Sequence, residues 1–205
     1  ALAAADALAL AADAHFPARP VTLIVAFAPG TGSDAVARIV ADAMGKTLGQ
    51  PVIVDNRSGA GGALGTEQGA RAAPDGYTLT LATTSTLLTN PALNPKLRRR
   101  PDRDFVPVAG LARTPFVLVT ADKADSPHSL AELKARLAGA GAAFGSAGNG
   151  TITHLAAEYF VRQAGVQAVH VPYRGSGQAL SDVAGGQLLF DLAAPEGNPD
   201  GIVRK

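Results

Sequence analysis

From Val21 to Ala193, short apolar runs alternate with stretches whose hydrophobic residues recur every three or four positions. VTLIVAF (21–27) predicts a buried strand. After the polar APGTGS, Val36, Ile39, Val40, Ala43 and Met44 share one helical face, which predicts a helix over 34–48. Ser33 is placed to cap it, Gly49 to end it, and Pro51 bars its continuation. VIVD (52–55) reads as a second strand, and SGAGGALG opens a helix ending near Ala73. Pro74-Asp75-Gly76 is a turn, and YTLTLAT (77–83) a third strand. A βαβαβ order with short connections implies a parallel sheet with right-handed crossovers.

Prolines and the cluster Arg98, Arg99, Arg100, Arg103 interrupt the pattern, which then resumes. PFVLVT (115–120) predicts a strand; Ser129 and Glu132 form a capping box for a helix that Gly139 stops. AAFGS (142–146) is a strand, 153–164 a helix closed by Gly165, VQAVHVPY (166–173) a strand, 176–184 a helix and QLLFDLA (187–193) a last strand. The expectation is two parallel α/β units, 16–104 and 105–192, with helices on both sheet faces. A turn-forming tail, 193–205, follows them.

Composition narrows the classes. With 205 residues, 47% hydrophobic and 17% charged, and a formal charge of +1, the chain fits neither disorder nor a dedicated nucleic-acid binder. The arginine cluster lacks interleaved aromatics and reads as solvated surface. There is no cysteine, which excludes disulfides, thiolate metal sites and cysteine nucleophiles. Residues 1–15 read as a signal-like leader remnant or tail: the alanine-leucine run carries Asp6 and Asp13 and is too short to span a bilayer. No direct membrane insertion is expected.

Ligands of open parallel sheets bind beyond the carboxyl ends of the strands. The segments there are Ala28-Pro29-Gly30-Thr31-Gly32-Ser33-Asp34, Thr83-Thr84-Ser85-Thr86, Ser146-Ala147-Gly148-Asn149-Gly150-Thr151 and Arg174-Gly175-Ser176-Gly177. They offer hydroxyls, glycines and helix starts, with almost no catalytic acid or base. Backbone N–H groups at a helix start cradle anions, although the same residue types also simply turn and cap chains. Repetition of the pattern in both units favours a carboxylate or phosphate held between them. The rival is a dinucleotide (NAD or NADP) site, because Gly30-x-Gly32-x-x-Ala35 fits a relaxed G-x-G-x-x-G/A pattern and Asp55 ends the second strand. Asp34 in the first helical turn would oppose a pyrophosphate, and Pro29 removes a donor. His15, His128, His154 and His170 are too scattered for a zinc site, and no serine sits in a G-x-S-x-G elbow. No catalytic residue, metal or cofactor is expected.

FPARPVTLIVAFAPGTGSDAVAR, LGQPVIVDNRSGAGGALGTE, APDGYTL, GSAGNGTITHLAAEYF and VHVPYRGSGQAL, in that order, resemble the Bug/TctC extracytoplasmic solute receptors of tripartite tricarboxylate transporters. The resemblance implies a two-domain, type II periplasmic binding protein. Such a protein closes on a small organic acid and delivers it to a membrane permease without chemistry on the ligand. It further implies a first ligand loop at Phe27, Ala28, Gly30, Thr31, Gly32, Ser33 and Asp34, and a second at Ser146, Gly148, Asn149, Thr151 and His154. Thr84 and Ser85 would floor the cleft, with Tyr173 and Asp191 flanking it. Family members run longer, and this chain leaves the motif pattern after Phe190-Asp191. The first domain is therefore expected to lack its closing segment and to expose apolar sheet. A shortened receptor that binds nothing is the remaining alternative.

Overall fold

The computed structural model describes residues 16–95, 97, 101–139 and 141–194. The leader, Arg98–Arg100 and the tail beyond Ala194 lie outside them. Strand β1 (Val21–Val25) leads into α1 (Gly32–Leu48), then β2 (Val52–Asn56), α2 (Ala63–Arg71) and β3 (Thr78–Leu81). β1 is central and pairs in parallel with β2 (Val21 opposite Val52) and β3 (Thr22 opposite Thr78), as the crossover pattern predicts. Alanine spacing explains the packing of α1: Ala37 and Ala41 are buried against Leu23, Val25 and Leu81, and their small side chains let the helix lie close on the sheet. Each buried leucine or valine here contributes about 1.5–3 kcal/mol.

A π-helical turn (Ser85–Thr89) and the short helix α3 (Asn90–Leu93) follow β3. The one-turn helix α4 (Pro101–Asp104), whose Arg103 is exposed as expected, precedes an extended segment into the second half. There β4 (Val117–Val119), α5 (Leu130–Leu137), β5 (Ala143–Ser146), α6 (Ile152–Gln163), β6 (Val169–Pro172), α7 (Ser176–Gly185) and β7 (Asp191–Ala193) succeed one another. β5 and β6 pair in parallel, and a parallel bridge between Phe144 and Phe190 ties β5 to the approach of β7. Phe190 stacks on Phe144 at 5.4 Å and meets Phe160 edge-on at 5.5 Å, centring a second core with Leu133, Leu137, Ala157 and Val161.

Three expectations need correction. The second half is not wholly parallel, because β4 runs antiparallel to β7, Val117 opposite Ala193. β4 is a three-residue strand with β7 as its one recorded ladder partner, and an antiparallel edge strand on an otherwise parallel arrangement is physically ordinary. Ser33 does not cap α1; Thr31 does, its Oγ1 accepting from Asp34 N–H at 3.4 Å and donating to Ala28 O at 2.9 Å. Most strands read from apolar runs are also shorter than those runs, since packing residues continue beyond the ladder, whereas β2 runs one residue further than read, to Asn56. No helix among the described residues is long and apolar enough to cross a membrane.

Candidate functional site

The chemistry-bearing segments lie at the carboxyl ends of the strands and are built largely from backbone held in fixed positions. In the loop after β1, Gly30 adopts φ +79° and donates its N–H to Asp34 Oδ2 at 2.9 Å. Asp34 is 4% exposed and is held further by Arg38 Nε at 3.0 Å and Asn56 Nδ2 at 2.9 Å. Burial opposes ionisation of this carboxyl, but those bonds outweigh it and hold Asp34 below the usual carboxylate value. Asp34 is thus the loop's internal brace, and Gly30 N–H is already engaged. Gly32 and Ser33 N–H, the first donors of α1, meet no acceptor among the described residues.

The loop after β5 is braced in the same manner. Ser146 Oγ lies 2.7 Å from His170 Nε2 and accepts Gly148 N–H at 3.1 Å. Thr151 caps α6, and Gly150 N–H reaches His154 Nδ1 at 3.3 Å. His154 stacks on His170 with ring centres 3.9 Å apart. Burial first, then repulsion from His154, pushes His170 down to about 4, so it is neutral near pH 7. Asn149 is exposed, with no side-chain bond recorded.

Across the middle, Ser85 Oγ accepts Ile152 N–H at 3.0 Å and Thr89 Oγ1 donates to Gly150 O at 2.8 Å, while within the first half Asn90 Nδ2 donates to Gly61 O at 2.8 Å. Elsewhere the two halves touch without a hydrogen bond among the described residues: a Cβ on Gly175 would lie 2.6 Å from Thr31 Cγ2, and one on Gly177 would lie 3.7 Å from Gly30 O. α7 has no side-chain cap, and the N–H groups of Ser176 and Gly177 meet no acceptor among the described residues.

The structure therefore brings Ala28, Gly30 and Thr31 against the Arg174–Gly177 turn, and Gly148 and Asn149 against Gly61. Phe27 is buried, with its ring edge 3.4 Å from where a Gly62 Cβ would be. Thr84 is exposed at the start of the π-turn. Tyr173 OH is given to Asp182; burial, that bond and the charges of Asp182 and Asp191 push it up to about 12. Asp191 is fully buried with neither oxygen in a hydrogen bond of normal geometry, and burial pushes it up to about 7, offset only partly by Leu192 N–H. Sequence reading marked the Arg174–Gly177 edge and the SGAGGALG run but did not single out Ser176, Gly177 or Gly61, which lie at the contact between the halves. The signal was present in Gly175 preceding a helix without a capping side chain. Among the described residues no cluster of three or more histidine or acidic side chains could hold a metal.

A family model described as "Tripartite tricarboxylate transporter family receptor" (TctC) matches residues 36–196. The chain belongs to this family. The match runs past Asp191, beyond the stretch the motifs cover. This TctC-family chain is 41% identical to BugT of Bordetella pertussis over 86% of its own length and 55% of BugT. Among solved structures, MatC from Rhodopseudomonas palustris with bound malate superposes with a TM-score of 0.81 at 37% identity, over 87% of this chain and 61% of that one. A second R. palustris protein, solved with adipate, gives 0.84 at 32% identity, over 90% and 62%. The chain spans roughly half the length of the curated relatives it matches, 52% and 55% for two of them. Its solved neighbours include proteins described as a periplasmic transporter and a periplasmic binding protein, and nothing among them supports the dinucleotide alternative.

Proposed function

We propose that the chain is a periplasmic receptor that captures a small organic acid between its two halves and presents it to the membrane permease of a tripartite transporter. It acts as a carrier and performs no chemistry on its ligand. The observation that carries this reading is that two helix starts, α1 and α7, whose Gly32, Ser33, Ser176 and Gly177 N–H groups meet no acceptor among the described residues, adjoin where Thr31 meets Gly175 and Gly30 meets Gly177. Two helix ends and neutral donors satisfy a carboxylate without burying a full cationic charge, the Asp34 charge in the first turn of α1 being offset by its ion pair with Arg38. Asn149, exposed on the loop that meets Gly61, offers a further amide donor. Malate and adipate, bound by the two solved relatives, are the acids to try first.

On this reading the halves correspond to domains of 16–104 and 105–192. A ligand touching both binds the closed arrangement more tightly and shifts the population toward it. Titration calorimetry against C4 to C6 dicarboxylates, with mass spectrometry of any acid carried through purification, tests the proposal. Binding at 100-fold excess over Kd stabilises the fold by about 2.7 kcal/mol, which a melting scan detects. A folded chain whose melting temperature no organic acid raises, and which carries none, overturns it.

A further inference from the structure

The contacts between the halves are of two physically different kinds, and they lie at different places. One set centres on the π-turn Ser85–Thr89. Ser85 is 5% exposed and its Oγ holds Ile152 N–H, and Thr89 holds Gly150 O; within the first half, Asn90, also 5% exposed, binds Ala60 O and Gly61 O and so fixes the Gly61 backbone on which Asn149 rests. The turn is itself braced, since Thr86 (2% exposed) exchanges hydrogen bonds with Thr83 through side chain and backbone. Glycines let these parts meet: a Cβ on Gly150 would lie 2.8 Å from Asn90 Oδ1, and one on Gly61 would lie 2.3 Å from Asn149 O.

The second set, where Gly30 and Thr31 meet Gly175 and Gly177, contains no hydrogen bond among the described residues. Parting these van der Waals neighbours breaks no hydrogen bond between the halves and so strands no polar group. Parting the first set would strip buried Ser85, Ile152 N–H and Gly150 C=O of their partners, a far costlier change.

We propose that the Ser85–Thr89 turn is the pivot on which the two halves move, and that the Gly30–Gly177 approach is the mouth. This makes Ser85 and Thr89 positioning residues that orient the Gly148–Ile152 loop without touching the ligand. The proposal assigns the geometry of opening within the receptor reading above.

The chain has no cysteine, so paired spin labels can be introduced cleanly. Ala35→Cys with Gln178→Cys reports the mouth, and Leu88→Cys with Tyr159→Cys reports the pivot; all four positions are exposed. In pulsed dipolar spectra without ligand, the mouth pair should give a distribution at least twice as wide as the pivot pair. Adding Ser85→Ala and Thr89→Val should widen the pivot pair to match. Equal widths in the unmodified background, or a pivot pair unmoved by the double variant, overturn the proposal. Malate serves as the probe of the receptor reading. Narrowing of the mouth alone upholds both, whereas a mouth that ignores every acid while the ligand-free contrast persists counts against the receptor reading and leaves the pivot standing.

Discussion

Gly61 and Gly49 make a matched pair, because their backbones are nearly identical and their surroundings are not. Gly61 has φ +64° and Gly49 φ +67°, so alanine at either suffers the same left-handed strain, about 1–2 kcal/mol. Around Gly49 nothing lies within 4 Å of an added Cβ, and Gly49→Ala should end there. At Gly61 the methyl would sit 2.3 Å from the Asn149 carbonyl oxygen and 2.9 Å from Asn90 Nδ2. Reaching an ordinary contact near 3.4 Å requires the Gly148–Gly150 loop to retreat by about 1 Å, with overpacking of about 1–3 kcal/mol in addition. Gly61→Ala should therefore destabilise by about 2–5 kcal/mol in urea denaturation, against about 1–2 for Gly49→Ala. It should also weaken dicarboxylate binding by calorimetry, while Gly49→Ala leaves affinity unchanged. Equal losses for the two, within about 0.5 kcal/mol, would show that the loop does not lie on Gly61 in solution.

Thr31→Ala should lower stability by about 1 kcal/mol through loss of the α1 cap, whereas Ser33→Ala should stay within about 0.5; urea melts separate the two. Asp34→Asn should weaken the fold by about 1–3 kcal/mol at pH 7. Because the folded carboxyl ionises below its ordinary value of 3.8, that contribution is present above 3.8 and fades as pH falls through the folded value, so melting curves of variant and parent should converge in acid. Asp191 has the opposite sign: raised to about 7, its carboxyl charges in the unfolded chain before the folded one, so stability is lost as pH climbs from 3.8 through 7. Relative to the parent, Asp191→Asn should gain stability over that window by an amount on the order of a few kcal/mol, and a flat difference between pH 4 and 8 would refute the assignment.

Most strands and helices were legible because their periodicities are clean and their stops are chemical. Gly49 and Gly165 end helices in left-handed conformations, and Ser129 caps α5 by accepting Glu132 N–H. Glu132, however, reaches His128 N–H instead of closing the box on Ser129. The cap of α1 was misread because Thr31 and Ser33 are chemically equivalent candidates; Asp34's bond back to Gly30 decides between them, and that bond is tertiary as well as local, since Asn56 from β2 shares the carboxyl. The direction of β4 was illegible for a similar reason. Three apolar residues carry no vector, and strand pairing depends on where β7 arrives. Of the site, the loops could be read but not the use of each donor, because Ser85 looks the same in sequence whether it faces a ligand or Ile152 N–H.

That allocation of donors is what makes the loops suited to a charged guest. Gly30, Ala147, Gly148, Gly150, Thr151 and Ile152 N–H are all satisfied within the protein, so the backbone around them is fixed before any ligand arrives. The donors left open are few and sit at helix starts, where the dipole already favours negative charge. On the proposed receptor reading, little ordering entropy then remains to oppose binding, and affinity would rest on complementarity between those few donors and the acid rather than on the area enclosed. A neutral His170 stacked on His154 fits the same logic: an uncharged ring supports the second loop without adding a partly buried cation whose hydration the site would have to replace.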